Sequence, residues 1–483
     1  MEESFWAGDC PRAGRGSRVE SVKALDVLNP YDGKKVGEVA VQDRAEVQKR
    51  LDQAAAVFAD RSRWIHVPQR IEILEKFQKL LEANQEKMIR QSLAEGGKPL
   101  IDTKVEMARA INGVRVAIET IPHLAGREIP MRLNAASMNR LAHTYREPGG
   151  LVTAISAFNH PMNLIIHQVI PAVATGCPVV IKPATKTPLS CLTIVDLLHQ
   201  AGLPKEWCQA VVCANTDAEL LVTEPRLSFF SFIGSGRVGW ALRSKLAPGA
   251  NCALEHGGVA PVILEADANL EDALPLLVKA GFYHAGQVCV SVQRIYAHRS
   301  IAEGLAQKIA EKAAKLVVGD PADPKTEIGP LISHAENDRV AAWVEEGVKK
   351  GAKLLCGGKK ISASCYAPTV LWNPPEDAKV SCDEVFGPVV CVYPFDKPDE
   401  AVKRANALPV CFQSAVFTRD IDRAFYYVRN LQATAVMVND HTAFRVDWMP
   451  FGGRMQSGLG MGGIPRTMED MTTEKMFVVR TTS

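Results

Sequence analysis

From Gly150 onward the chain alternates short apolar runs with stretches of helical period, whereas the region before it does not. Between Val67 and Ile89, the apolar residues Ile71, Leu74, Phe77, Leu81, Met88 and Ile89 recur at helix spacing and predict a helix with one core-facing stripe. After Gly150 the reading is strand Leu151–Ser156, helix Leu164–Ala174, strand Pro178–Ile181, helix Leu189–Ala201, then strands Trp207–Val212 and Phe229–Ile233. Such alternation predicts a parallel sheet covered by helices on both faces. A second alternating block starts near Val259, with Val262 and Ile263 opening a strand. It continues with a helix Ala302–Leu316, carrying Leu305, Ile309, Ala313 and Leu316 on one face, and strands Val389–Val392, Ser414–Phe417 and Thr434–Val438. Two α/β domains are expected, joined near Glu255–Gly258. Arg127–Arg146 is polar and extended in character and is expected to leave the body as an arm. There is no internal repeat and no low-complexity tract.

Composition narrows the class. A length of 483 residues suits two or three domains. Hydrophobic residues make up 47% and charged residues 23%, and 56 basic against 54 acidic residues give a net charge of +2. That balance, without a long basic run, points away from nucleic acid and anionic membranes as partners. No stretch approaches the ~18 consecutive apolar residues of a membrane span. Met1–Arg18 mixes acids, Gly and Arg, lacks the apolar core of a secretory signal and reads as a disordered leader. The 12 cysteines do not cluster and form no CxxC pair, so no metal site is expected. Cys177, Cys191, Cys208, Cys213 and Cys391 lie among apolar neighbours, which suits reduced buried thiols and a cytoplasmic location.

Four local features carry candidate chemistry, and each alone has a plainer explanation. Cys289 follows Ala285-Gly286-Gln287-Val288, where a glycine can present a thiol at a turn; a lone cysteine is more often buried and inert. Glu255 precedes His256-Gly257-Gly258 at a strand end, open to a cleft or simply to solvent. Asn159, in Ala157-Phe158-Asn159-His160-Pro161, follows the strand Leu151–Ser156, where the ligand crevice of such sheets lies. Its amide could donate to an oxyanion, or merely shape a turn. Gly234-Ser235-Gly236-Arg237-Val238-Gly239 is a G-x-G-x-x-G run between a strand and a helix. Read as the usual dinucleotide fingerprint, it makes Glu255 the ribose-binding acid. The strand before it is about sixth in chain order, however, whereas that fingerprint belongs on the first.

Taken together, and in order, these segments resemble the aldehyde dehydrogenase superfamily. The resemblance rests on Phe158-Asn159, Lys182-Pro183-Ala184, Gly234-Ser235 with Gly239, Glu255-His256-Gly257-Gly258, Gly286-Gln287-Val288-Cys289 and Glu384-Val385-Phe386-Gly387-Pro388. Pro450-Phe451-Gly452-Gly453 and Ser457-Gly458 extend it over nearly the whole chain. It implies Cys289 as nucleophile, Asn159 and the Cys289 N–H as oxyanion donors, and Glu255 as the base that activates water. It implies NADP or NAD as cofactor, with Lys182 and Glu384 on ribose hydroxyls, Phe386 near the nicotinamide ribose, and Gly234, Ser235 and Gly239 at the pyrophosphate. The implied fold is α/β, with two doubly wound parallel-sheet domains plus a β oligomerisation arm. Residues 1–126 and 147–257 would bind the dinucleotide, 258–453 would form the catalytic domain, and 127–146 with 454–483 would assemble a homodimer or homotetramer.

The sequence departs from the family pattern at three places. Thr185 stands where an acid often binds the adenosine 2′-hydroxyl; with Lys182 and Lys186 nearby, NADP is expected to serve at least as well as NAD. His256 replaces a usual Leu, and is read as packing or as an alternative base. His160 follows the Asn where a bulkier apolar residue is common. With Asn439–Asp447, His160 resembles family members that act on small aldehydes with an anionic end, such as semialdehydes, phosphonoacetaldehyde and lactaldehyde. Arg445 and Arg109 are the candidate anion-binding residues, with His160 as a further donor; the competing explanation pairs Arg445 with Asp447 and Arg109 with Glu106. The alternatives for the whole chain are an enzyme that passes its thioester to coenzyme A, against which Glu255 argues, and a catalytically silent binding protein.

Overall fold

The change of pattern at Gly150 marks the first strand of a parallel sheet. The computed structural model describes residues 24–481, so the leader Met1–Arg18 lies outside the described residues. Leu151–Ile155 is buried at every position, as a strand covered on both faces must be. It pairs in parallel with Val179–Lys182 on one side and Leu227–Ile233 on the other, and the sheet continues to Cys208–Ala210 and Asn251–Glu255 at its two ends. The Gly234 run therefore follows the fourth strand in chain order, not the sixth, and still not the first. The strand order reverses between Leu151–Ile155 and Leu227–Ile233, which opens a crevice beyond their carboxyl ends. Helices Val67–Gly96, Leu100–Thr120, Asn163–Thr175 and Pro188–Gln200 cover one face, and Arg44–Ala59 lies on the other.

The second sheet runs Lys353–Cys356, Thr369–Trp372, Val389–Phe395, Arg294–His298, Pro261–Leu264, Gln413–Phe417, Ala435–Val438, parallel except at the first pair. Most of the expected strands and helices are present within a few residues of their expected ends.

Arg140–Pro148, in the expected arm, pairs antiparallel with Thr472–Arg480 and with Glu128–Ile129 in a separate three-stranded sheet. The boundary at 454 moves. Gly458–Leu459 adds to the first sheet beside Asn251–Glu255, and helix Ile464–Asp470 packs on Asn163–Thr175 and Leu100–Thr120. The reason is visible in its burial: Ile464 and Met468 are fully covered in the first domain's core, and only the last strand belongs to the arm. Among the described residues, no helix is long and apolar enough to cross a membrane.

Candidate active site

The crevice at the sheet's reversal opens into a cavity of about 1500 Å³ between the two domains. That is more than one small ligand needs and is room for a dinucleotide and a substrate together. Asn159, Glu255 and Cys289 all line it, as do Arg109, His160, Lys182, Thr185, Gly234, Ser235, Glu384, Phe386 and Arg445. Segments more than a hundred residues apart in sequence thus meet on one surface. Lys186 is exposed and does not line the cavity, whereas Arg237, inside the glycine run, does.

The cysteine loop is held in a strained conformation. His284, Ala285 and Gly286 all have left-handed φ, at 48°, 54° and 72°. For the two non-glycine residues such a conformation costs about 1–3 kcal/mol each. Gly286 has no alternative, because a side chain there would run into the Gly387 carbonyl. The restraint comes from Gln287, which is buried. Its Nε2 donates to His284 O and Pro330 O, both at 3.2 Å, and its Oε1 accepts from Ile332 N at 2.9 Å. The loop therefore presents Cys289 from a fixed frame. Asn159 reaches the same frame: its Nδ2 donates to Gln287 O at 3.0 Å, leaving its second N–H for another acceptor. The loop carrying Asn159 is pinned by Glu106, whose Oε1 accepts from the Met162 and Asn163 N–H groups at 2.8 and 3.0 Å. Lys98 neutralises Glu106 at 2.6 Å, both side chains being almost fully buried.

Burial, and after it the negative charge of Glu255, pushes the Cys289 thiol above its ordinary range, with Arg445 pulling the other way. Burial likewise raises Glu255, against the pull of Arg445 and Arg109. The resting pair therefore favours a neutral thiol and a carboxyl that holds its proton more readily than an exposed one.

At the opposite end, Lys182 is 4% exposed and has no acidic partner among the described residues; burial lowers its pKa. Glu384 accepts from the Gly258 N–H at 3.1 Å, and burial pushes it up to about 7, so it can donate or accept toward hydroxyl groups. A side chain at Gly257 would collide with the Glu384 carboxyl. Ser235 precedes helix Gly236–Arg243 without using its hydroxyl as a cap. A cationic amine, a hydroxyl-binding carboxyl and a free serine at a helix start fit a nicotinamide dinucleotide. Gly239 contributes by packing, because a side chain there would strike the His256 ring. His256 sits edge-on to Phe232 and Trp240, its Nδ1 bonded to Gln456 O at 2.9 Å, an environment that favours packing over proton transfer. Phe386 stands edge-on to Phe158, centroids 5.9 Å apart.

The substrate end carries the two arginines. Arg109 does not pair with Glu106, which Lys98 occupies; it reaches across to Asp447 at 2.7 Å. Arg445 does not pair with Asp447. It lies over the Phe451 ring, 3.4 Å from the centroid, and its Nη2 faces His167 Nδ1 at 3.5 Å. His167 Nε2 in turn bonds Asp447 Oδ1 at 2.8 Å. His160 is buried, with its Nε2 facing the Tyr283 hydroxyl at 3.3 Å; burial and the nearby Lys98 keep its pKa well below the usual range. His167 and Tyr283 carry no sequence signal, lying on elements that read as ordinary core. Asp447 enters the sequence reading only as a possible partner of Arg445, and Gln287 and Arg237 only as members of the cysteine and glycine motifs.

A family model described as the aldehyde dehydrogenase family matches residues 18–477. The chain is 38% identical over 461 residues to a 3-sulfolactaldehyde dehydrogenase from Priestia aryabhattai, covering 95% of each. Its fold superposes on aldehyde dehydrogenase 21 from Physcomitrella patens, solved with the reaction product succinate, at a TM-score of 0.92 and 33% identity over 96% of each chain. It also matches a glyceraldehyde-3-phosphate dehydrogenase from Methanocaldococcus jannaschii complexed with NADP, at 0.90 and 33%, covering 95% of this chain and 99% of that one. The chain belongs to the aldehyde dehydrogenase family.

Proposed function

We propose that this enzyme oxidises a small aldehyde with an anionic far end to its acid, using NADP or NAD, through a thioester on Cys289. The observation that carries the reading is that Cys289, Asn159, Glu255, Arg109 and Arg445 all line one cavity.

Cys289 loses its proton as it attacks the carbonyl carbon, with the raised Glu255 carboxyl able to accept it. The resulting oxyanion takes hydrogen bonds from the free Asn159 N–H and the Cys289 backbone N–H; losing one such donor typically costs ~10²–10³ in rate. The bound nicotinamide supplies the hydride acceptor that turns the thiohemiacetal into a thioester. Glu255 releases the thiol proton to solvent and then takes one from water; the water adds to the thioester, and the acid leaves as Glu255 returns that proton to Cys289. Lys182, Glu384, Ser235 and Phe386 hold and orient the dinucleotide. Thr185, exposed at the cavity rim in place of an acid, supports use of NADP at least comparable to NAD.

The 3-sulfolactaldehyde activity of one relative and the succinate product bound to another support an anionic substrate. Two arginines in a largely apolar cavity support it independently, because an unpaired buried anion is costly. Assembly into a homodimer or homotetramer through the arm is supported by its last strand, where Met476, Phe477, Val478 and Val479 are all exposed. The experiment is the appearance of reduced cofactor with a panel of small aldehydes, charged and neutral, with NADP and with NAD. Higher kcat/KM for neutral aldehydes than for anionic ones of similar size would defeat the substrate reading.

A further inference from the structure

The two arginines at the substrate end share one counter-charge, and that charge sits where no ligand can reach it. Asp447 is 1% exposed and does not line the cavity. It accepts from Arg109 Nη2 at 2.7 Å, His167 Nε2 at 2.8 Å and Asn163 Nδ2 at 3.4 Å, so it is a fixed part of the wall. His167 adds no charge. The Arg445 Nη2 can only donate, so the His167 Nδ1 facing it is bare and its proton resides on Nε2, directed at Asp447. His160 is also neutral in its buried place beside Tyr283. Glu255 apart, the remaining charged groups near this end cancel in pairs: Lys98 with Glu106 and Lys279 with Asp102, each at 2.6 Å. Arg445 is left without an ion-pair partner among the described residues, and its Nε is buried without a hydrogen bond.

We infer that the substrate end of the cavity presents at most one uncompensated positive charge, and that it therefore selects aldehydes with a singly charged carboxylate or sulfonate over those with a dianionic phosphonate or phosphate. The inference rests on the anionic-substrate reading above and adds a valence to it. A monoanion beside Arg445 completes the neutralisation. A dianion brings a second negative charge into a buried site whose only other free arginine is already matched by Asp447, and an unmatched buried charge is strongly disfavoured. An ionised Glu255 offsets Arg445 and leaves no surplus positive charge, and a dianion is then still disfavoured more than a monoanion.

The test uses four aldehydes on one carbon frame: 4-oxobutanoate, 3-oxopropane-1-sulfonate, 3-oxopropylphosphonate and butanal. They are assayed at about pH 9, because the second ionisation of an alkylphosphonate lies higher than the ~6 of a phosphate monoester. The carboxylate and the sulfonate are expected within about threefold of each other in kcat/KM, and each at least about tenfold above both the phosphonate and butanal. A phosphonate as good as the carboxylate, with both above butanal, would overturn the charge selection while leaving the anionic-substrate reading in place. Butanal as good as the carboxylate would overturn that reading and this inference with it. Asp447→Asn, which keeps the shape and removes the counter-charge, is expected to raise the phosphonate-to-carboxylate ratio about tenfold; an unchanged ratio in a folded variant would overturn the inference. The wild-type panel decides the question even if that variant fails to fold.

Discussion

The two ends of the cavity are built by different means. The cofactor end is made of short contiguous segments placed by strand ends: Lys182 closes one strand, Gly234 and Ser235 follow another, and Glu384 and Phe386 share a single turn. The substrate end is made of single side chains from three distant helices and loops, Arg109, His167, Arg445 and Asp447, that meet only after both domains have docked. The first depends on backbone geometry and tolerates little change of shape. The second depends on a charge balance, so its specificity can be altered by replacing one residue while the fold stays. Cys289 lies between them, in a strained loop fixed by Gln287.

Cys289→Ala removes the proposed nucleophile. It is expected to lower turnover by at least about four orders of magnitude while leaving dinucleotide binding, followed by fluorescence quenching, within a few-fold of wild type. Retained turnover would detach the cysteine loop from the chemistry.

The charge balance also leaves a mark on stability. Burial, together with the neighbouring Arg445, pushes His167 down to about 4 from an ordinary 6.5, against the pull of Asp447. Between those values the unfolded chain binds a proton that the folded chain does not, so stability rises with pH across that window and is lost as pH falls from about 6.5 towards 4. The full shift corresponds to about 3 kcal/mol. Thermal unfolding of wild type at pH values spanning that window should show a steep loss that is clearly smaller in His167→Asn. An identical pH slope in the two proteins would mean that His167 is not held neutral.

Arg445→Met is expected to lower kcat/KM about thirtyfold for an anionic aldehyde, mainly through KM, and hardly to affect a neutral one of similar size. Equal losses for both would make Arg445 a packing residue on Phe451 and not an anion binder. The smallest effect belongs to the cofactor end. Thr185→Glu should shift the ratio of kcat/KM towards NAD about tenfold, through repulsion of a 2′-phosphate. No shift would remove this position from cofactor choice.

The same contrast explains what the sequence made legible. Fully apolar runs such as Leu151–Ile155 and alternation with helical periods define a covered parallel sheet, so the two-domain α/β plan could be read directly. Lys182, Gly234, Ser235, Glu384 and Phe386 travel in short motifs, and the structure brings them to one cavity. Asp447 lies only two residues from Arg445 and is the competing local partner that the sequence offers, yet local proximity does not decide the pairing. Arg109, from a helix more than three hundred residues earlier, occupies that carboxylate. His167 reads as one more position on an apolar helix, and nothing in its neighbours announces two hydrogen-bonding arginine and aspartate partners. The final segment was assigned wholly to the arm because its pattern is weak, whereas Ile464 and Met468 are claimed by the first domain's core.

The most direct test of the covalent route is a single-turnover experiment on Glu255→Gln with a small anionic aldehyde and excess oxidised cofactor. The account predicts a burst of about one equivalent of reduced cofactor per active site, followed by a stall. Intact-mass and peptide analysis should then place an acyl group on Cys289. Continuous turnover at the wild-type rate with no acyl adduct would contradict it, and would place the water-activating base elsewhere.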